Sequence, residues 1–80
     1  MQKERNRSPE QVAAAIMSLL LDAPFDLSAI VEIEREIGDP VAVRDGLNRL
    51  RGAGLIYELE NMMFVMATRA ARLAAELPQS

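Results

Sequence analysis

The sequence predicts an α+β fold that is mainly helical and carries one small β-hairpin. Two polar residue–proline pairs, at 8–9 and 39–40, are strong helix starts, because Ser and Asp cap helix N-termini and Pro fits the first helical position. Apolar residues recur at helical spacing after each pair. Nearer the end of the chain, two short apolar runs at 55–59 and 62–66 are separated by two polar residues, a pattern typical of a hairpin.

The first helix is predicted to begin at Ser8 and to end at Pro24. Ser8 and Gln11 have the spacing of a capping box, in which each side chain accepts from the other residue's backbone N–H. Pro24 stops the helix because it cannot continue the hydrogen-bond pattern. The residues that follow, Phe25 to Leu27, are expected to form no more than a short stub of strand. The residues predicted to face the core are Val12, Ala13, Ile16, Leu19, Leu20 and Ala23.

Two further helices are predicted on either side of Gly38. Helix 2 starts near Ser28, and Gly38 ends it as a left-handed residue. Asp39 then caps helix 3, which covers about 40–52. So short a connection favours two helices that cross over two that lie side by side. The residues predicted to face the core are Ile30, Ile33 and Ile37 on helix 2 and Val43, Leu47 and Leu50 on helix 3.

The predicted hairpin joins its strands through a two-residue turn, Glu60-Asn61, in which Asn tolerates a positive φ. Alternation along the second strand would place Met62, Phe64 and Met66 on one face and Met63 and Val65 on the other. Both faces are apolar. We expect the Phe64 face to pack on the core, and the opposite face to be covered by helix 4 or by another subunit.

A fourth helix is predicted from its N-cap Thr68 to Pro78, with Leu73 and Leu77 at helical spacing. These two leucines are candidates for a homodimer interface, and the alternative is that helix 4 only completes the monomer core. Met63 and Val65 are further interface candidates, since they occupy the second apolar face of the hairpin and Met suits adaptable contacts.

The element order, helix 1, stub of strand, helix 2, helix 3, hairpin and helix 4, resembles the winged helix-turn-helix superfamily of many small bacterial transcription regulators. The residues that carry the resemblance are Ile33, Ile37, Gly38, Val43, Leu47, Leu50 and the run Gly54-Leu55-Ile56. It covers nearly the whole chain and indicates no single family within the superfamily. It implies a DNA-binding transcriptional regulator in which helix 3 enters the major groove, the hairpin wing touches the backbone, and terminal helices form a dimer.

Helix 3 supplies the residues expected to contact double-stranded DNA. Arg44, Asn48 and Arg49 lie away from its apolar side and are candidates for base edges or phosphates, because Arg reads guanine and Asn reads adenine. Arg51, on the flank, is expected to reach a phosphate. The alternative is a solvated helix face in which Asp45 repels phosphate or pairs with Arg49 at i,i+4. Further positive charge is available from the N-terminal arm through Lys3, Arg5 and Arg7.

A competing function is a protein-interaction module that keeps this fold without binding DNA. The predicted wing carries Glu58 and Glu60 where DNA-binding wings tend to carry Lys or Arg, and helix 2 is acidic as well. The net charge of the chain is −3, which weakens any sequence-independent attraction to phosphate.

The length and composition limit the remaining possibilities. Eighty residues allow one domain, here 8–78, preceded by a flexible arm at 1–7 and followed by a tail at 79–80. Without His or Cys, the usual nucleophile–base pairs and nearly all transition-metal sites are excluded, so we expect no enzyme activity, no metal and no cofactor. No apolar run reaches the length of a membrane span, and a cytoplasmic bacterial protein is expected.

Overall fold

The computed structural model describes residues 8–61 and 63–77. Over this part of the chain the predicted fold class is confirmed, with four helices and a three-stranded antiparallel sheet in a winged-helix layout. The elements are α1 (Pro9–Asp22), β1 (Leu27–Ala29), α2 (Ile30–Ile37), α3 (Pro40–Gly52), β2 (Ile56–Leu59), β3 (Phe64–Ala67) and α4 (Arg69–Glu76). None of these helices is both long and apolar enough to cross a membrane. The predicted arm at 1–7 and the tail at 79–80 lie outside the described residues.

The predicted start of α2 near Ser28 is wrong, because Ser28 lies in β1 opposite Val65 and the helix begins at Ile30. The predicted starts of α1 and α3 are confirmed in their hydrogen bonds. The Ser8 hydroxyl accepts from the Gln11 N–H at 3.1 Å, and the Gln11 side chain accepts from the Ser8 N–H at 2.9 Å, which completes the capping box. The Asp39 carboxylate accepts from the Ala42 N–H at 3.1 Å at the start of α3. Gly38 ends α2 with φ of 81°, a left-handed conformation that costs glycine little. The connection between α2 and α3 is therefore fixed by local chemistry.

The first strand differs from the predicted stub at Phe25–Leu27. It covers Leu27–Ala29 and pairs antiparallel with β3, so that the sheet order is β1-β3-β2. Phe25 and Asp26 instead belong to a tight 3₁₀ turn and both have positive φ, 60° and 56°. The pairing with a strand almost forty residues away, Leu27 with Met66, fixes the position of β1.

The hairpin connection is longer than the predicted two-residue turn. The last strand pair is Leu59 with Phe64, so the connection between the paired strands is longer than two residues. Glu60 and Asn61 both have positive φ, 49° and 55°, and the Met63 N–H donates to the Leu59 carbonyl at 3.2 Å. The two residues expected to turn the chain do so, but the strands begin to pair only beyond Met63.

The core lies between the helices and the inner face of the sheet. It consists of Val12, Ile16, Leu20, Ile33, Val43, Leu47, Leu50, Ile56, Val65, Ala67 and Ala71, all buried. The prediction that Val43, Leu47 and Leu50 point inward is confirmed. At the crossing of α1 and α3, Gly46 allows the two helices to approach closely, because a Cβ atom there would lie 2.7 Å from the Ile16 Cδ1 atom.

The predicted faces of β3 are reversed in the structure. Val65 is 0% exposed and packs in the core, whereas Phe64 is 36% exposed on the opposite face. The expectation that Val65 contacts a partner is therefore wrong, because its side chain is already covered within the chain. The reason is the strand register, in which Ile56 pairs with Ala67 and both are buried, so that Val65 shares their side of the sheet.

The last helix is tied to the first third of the chain by Arg72. Its guanidinium forms an ion pair with Asp26 and donates to the Leu21 carbonyl at 2.8 Å. At the start of α4, the Thr68 hydroxyl accepts from the Ala71 N–H at 3.2 Å and donates to the Gly54 carbonyl at 3.0 Å. These contacts fix α4 across the base of the sheet.

Candidate functional site

The exposed side of α3 is the surface predicted to contact DNA. At about 100° per residue, the positions opposite the buried stripe are Val41, Asp45 and Asn48. Val41 is 74% exposed at the start of this ridge, and the carboxylate of Asp45 lies at its centre. All the predicted contact residues of α3 are exposed, so the helix presents them to solvent as expected.

The three arginines of α3 divide between its two flanks. Arg44 and Arg51 lie on the flank that faces α2 and β2, and Arg49 lies on the other flank. In the part of the chain that the structure describes, neither Arg44 nor Arg49 forms an ion pair, and the alternative pairing of Arg49 with Asp45 is not seen. These two guanidinium groups remain available to an external anion.

A shallow cleft brings together Arg44, Asn48 and Arg51. Its other lining residues are Ile30, Leu47, Glu34 and Glu58, contributed by α2, α3 and β2. The apolar side chains of Ile30 and Leu47 are half-buried and buried, and the charged groups surround them. The cleft thus holds two guanidinium groups and two carboxylates around an apolar floor.

Arg51 is already paired within the molecule. Its guanidinium forms an ion pair with the Glu58 carboxylate and also donates to the Asn48 side-chain oxygen. The Glu58 side chain is only 15% exposed, and that of Arg51 is 42% exposed. A phosphate would therefore have to compete with Glu58 for Arg51. The side-chain oxygen of Asn48 already accepts one hydrogen bond, from Arg51.

Glu58 differs from its expected position on the wing. It pairs with Val65, whose side chain is buried, so Glu58 lies on the inner face of the sheet and faces α3 rather than solvent. Sequence reasoning missed this role. The available signal was the alternation along β2, because Glu58 follows the buried Ile56 by two residues and therefore shares its face.

The outer sheet face carries no charge. We use this name for Leu27, Ala29, Tyr57, Leu59, Phe64 and Met66, which the strand register places together on the side away from the helices. Tyr57 is 44% exposed, and its hydroxyl lies 3.0 Å from the Met66 sulfur across the strand pair. Tyr57 and Phe64 are exposed and the other four residues are half-buried, and none of the six packs against the core cluster. An uncovered apolar surface of this kind is typical of contact sites.

The remaining dimer candidates are exposed but lie apart. Leu73 and Leu77 are 55% and 62% exposed on or just after α4, and Met63 is 63% exposed in the hairpin connection. Because α4 follows the base of β3 and Met63 precedes its tip, the two groups lie at opposite ends of the hairpin. A single two-fold contact between α4 helices would therefore leave Met63 out.

The other predicted contact residues, Lys3, Arg5 and Arg7, lie outside the described residues. Within those residues, no group of three or more acidic side chains could hold a metal ion. Away from α3, hydrogen bonding from the Arg72 guanidinium lowers the pKa of Asp26. Comparison with protein-family models, with curated proteins and with solved structures finds no match for this chain.

Proposed function

We propose that this chain is a winged-helix DNA-binding domain of a bacterial transcriptional regulator and that α3 is its recognition helix. The observation that carries the proposal is the exposed face of α3, on which Arg44 and Arg49 have no ion-pair partner among residues 8–61 and 63–77. The buried stripe of Val43 and Leu47 fixes which side of the helix faces outward. Rigid presentation of that side is what major-groove insertion requires.

The side chains of the outward ridge suit direct reading of bases. Asn48 has an amide group that can donate to an acceptor on a base, and Arg44 and Arg49 flank it within reach of base edges or phosphates. The Asp45 carboxylate would repel phosphate, but it can accept a hydrogen bond from the amino group of cytosine. Asp45 would then favour sites with cytosine at one position. Val41, at the start of the helix, can contact a thymine methyl group.

The proposed regulator acts as a homodimer through α4. The exposed apolar stripe of Leu73 and Leu77 would meet the same stripe of a second copy about a two-fold axis. An antiparallel pair of α4 helices places Arg69, at one end of the helix, beside the partner copy's Glu76 at the other, which is a favourable pairing of charges. Two copies of α3 would then reach successive half-sites on one duplex.

The test is a titration of labelled genomic DNA fragments at low and moderate salt, with oligomeric state followed by sedimentation equilibrium. Each arginine that neutralises a phosphate contributes about 0.9 to the slope of log Kobs against log salt. The Arg44→Ala, Arg49→Ala double variant is therefore expected to flatten the slope by about 1.8. Arg35→Ala, which removes one positive charge from the exposed side of α2, is the control for each single arginine and should change the slope little.

A second candidate function is favoured by the outer sheet face. Its six uncharged residues, flanked by the exposed Glu60 at the hairpin turn, are better suited to another protein than to phosphate. In this function the domain keeps the winged-helix layout as a scaffold and does not bind DNA. Self-association without salt-sensitive DNA binding at micromolar protein would favour this function and count against the first.

A further inference from the structure

We infer that Glu58 is an internal competitor of the DNA phosphate for Arg51, and that it sets how many phosphates α3 can neutralise. This inference rests on the proposed function. The ion pair joins α3 to β2, and the same arginine donates to Asn48, so one residue of the wing controls two residues of the recognition helix.

The position of Glu58 makes the competition specific. Its carboxylate is held on the inner face of the sheet by the pairing of Glu58 with Val65, and only 15% of its side chain is exposed. The carboxylate therefore pairs with Arg51 and is little screened by counter-ions from the solvent. Arg51 is 42% exposed, so a phosphate can approach its guanidinium from the solvent.

The other charges of the cleft do not substitute for Glu58. Glu34 and Arg44 also line it, but no ion pair joins either of them to another residue within the described part of the chain. When a phosphate approaches Arg51, Glu58 has to give up its partner, and the gain from the new contact is offset by the loss of the old one. Arg51 thus contributes little to the net release of counter-ions in the native protein.

The competition also affects the reading of bases. With Arg51 held by Glu58, the Asn48 side-chain oxygen accepts from Arg51, which occupies one of its two lone pairs and orients the amide toward Arg51. If Arg51 moves to a phosphate, the Asn48 amide is released from this orientation and can turn to form the two-bond contact with adenine. Breaking the ion pair is therefore expected to strengthen both binding and preference for adenine at one position.

The experiment compares four forms of the full chain, native, Glu58→Gln, Arg51→Ala and the double variant, in the DNA titration at several salt concentrations. Glu58→Gln is expected to steepen the salt slope by about 0.9 and, accordingly, to bind relatively more tightly at low salt. Arg51→Ala is expected to leave the slope of the native protein almost unchanged, but to flatten that of Glu58→Gln by about 0.9.

Glu60→Gln is the matched control, because it removes the same charge from an exposed position of the wing. If Glu58→Gln acted only by reducing the general repulsion of phosphate, Glu58→Gln and Glu60→Gln would change the salt slope equally. Arg51→Ala would then change the slope by the same amount with Glu or Gln at position 58. That result would overturn this inference but not the proposed function. Absence of DNA binding by every form would instead overturn the proposed function and this inference with it. Circular dichroism of each form shows that it is folded.

Discussion

The position of the recognition helix depends on one close contact, which Gly46 provides. A Cβ atom at this residue would lie 2.7 Å from the Ile16 Cδ1 atom and 3.2 Å from the Val12 Cγ1 atom. Ile16 is 0% exposed and Val12 is 2% exposed, so any shift of these side chains has to be taken up within the core. Gly46→Ala therefore forces α1 and α3 apart or distorts the packing between them.

Two opposing free-energy terms decide the size of the effect. Replacing Gly by Ala in a helix interior favours the helix by about 1 kcal/mol, and overpacking a filled core costs about 1–3 kcal/mol. We expect Gly46→Ala to be destabilising, by up to about 2 kcal/mol net. Gly52→Ala is the matched control in the same helix, because nothing lies within 4 Å of a Cβ atom there, and it is expected to be neutral or stabilising.

Urea denaturation measures both variants under the same conditions. For a small domain, with a slope near 1 kcal/mol per molar urea, the two midpoints should differ by about 1 M or more. Ile16→Val removes the contacting Cδ1 atom, so in that background Gly46→Ala should lose much of its cost, and the double-mutant cycle should report a favourable coupling. Equal stabilisation by Gly46→Ala and Gly52→Ala would refute the close contact and the helix orientation that follows from it.

Two further predictions concern the attachment of α4. Arg72 lowers the pKa of Asp26 in the folded protein below its usual value of 3.8. The pair therefore stabilises the folded form above pH 3.8. This stabilisation is lost as the pH falls through the lower pKa that Asp26 has in the folded form. Acid titration of stability should show this loss in the native chain but not in Asp26→Asn. Thr68→Ala removes the N-cap of α4 and its bond to the Gly54 carbonyl, and should cost about 1 kcal/mol in thermal or urea unfolding; an unchanged stability would contradict the cap.

The sequence was most informative where structure is fixed by neighbouring residues. The capping box of Ser8 and Gln11 and the left-handed Gly38 involve residues within one helical turn, so their chemistry could be identified directly. The burial of Val43 and Leu47 followed from the helical period with equal clarity. These features account for the confirmed fold class and for the orientation of α3.

The errors occurred where a distant part of the chain decides the structure. Both faces of β3 are apolar, so alternation alone could not tell whether Phe64 or Val65 faces the core, and the pairing with β2 decided it. The position of β1 was likewise set by its pairing with β3. The contact of Glu58 with Arg51 depends on both the strand register and the position of α3, and neither is local information.

The strand order β1-β3-β2 has a consequence for how this chain is made. The middle strand, Phe64–Ala67, is the last of the three in sequence, so Leu27–Ala29 has no strand to pair with until Phe64–Ala67 has been synthesised. During translation, α1 and the pair α2–α3 can form first, because their caps and turns are local. The sheet, which holds the partner of Arg51 in place, is then completed only after β3 has been synthesised.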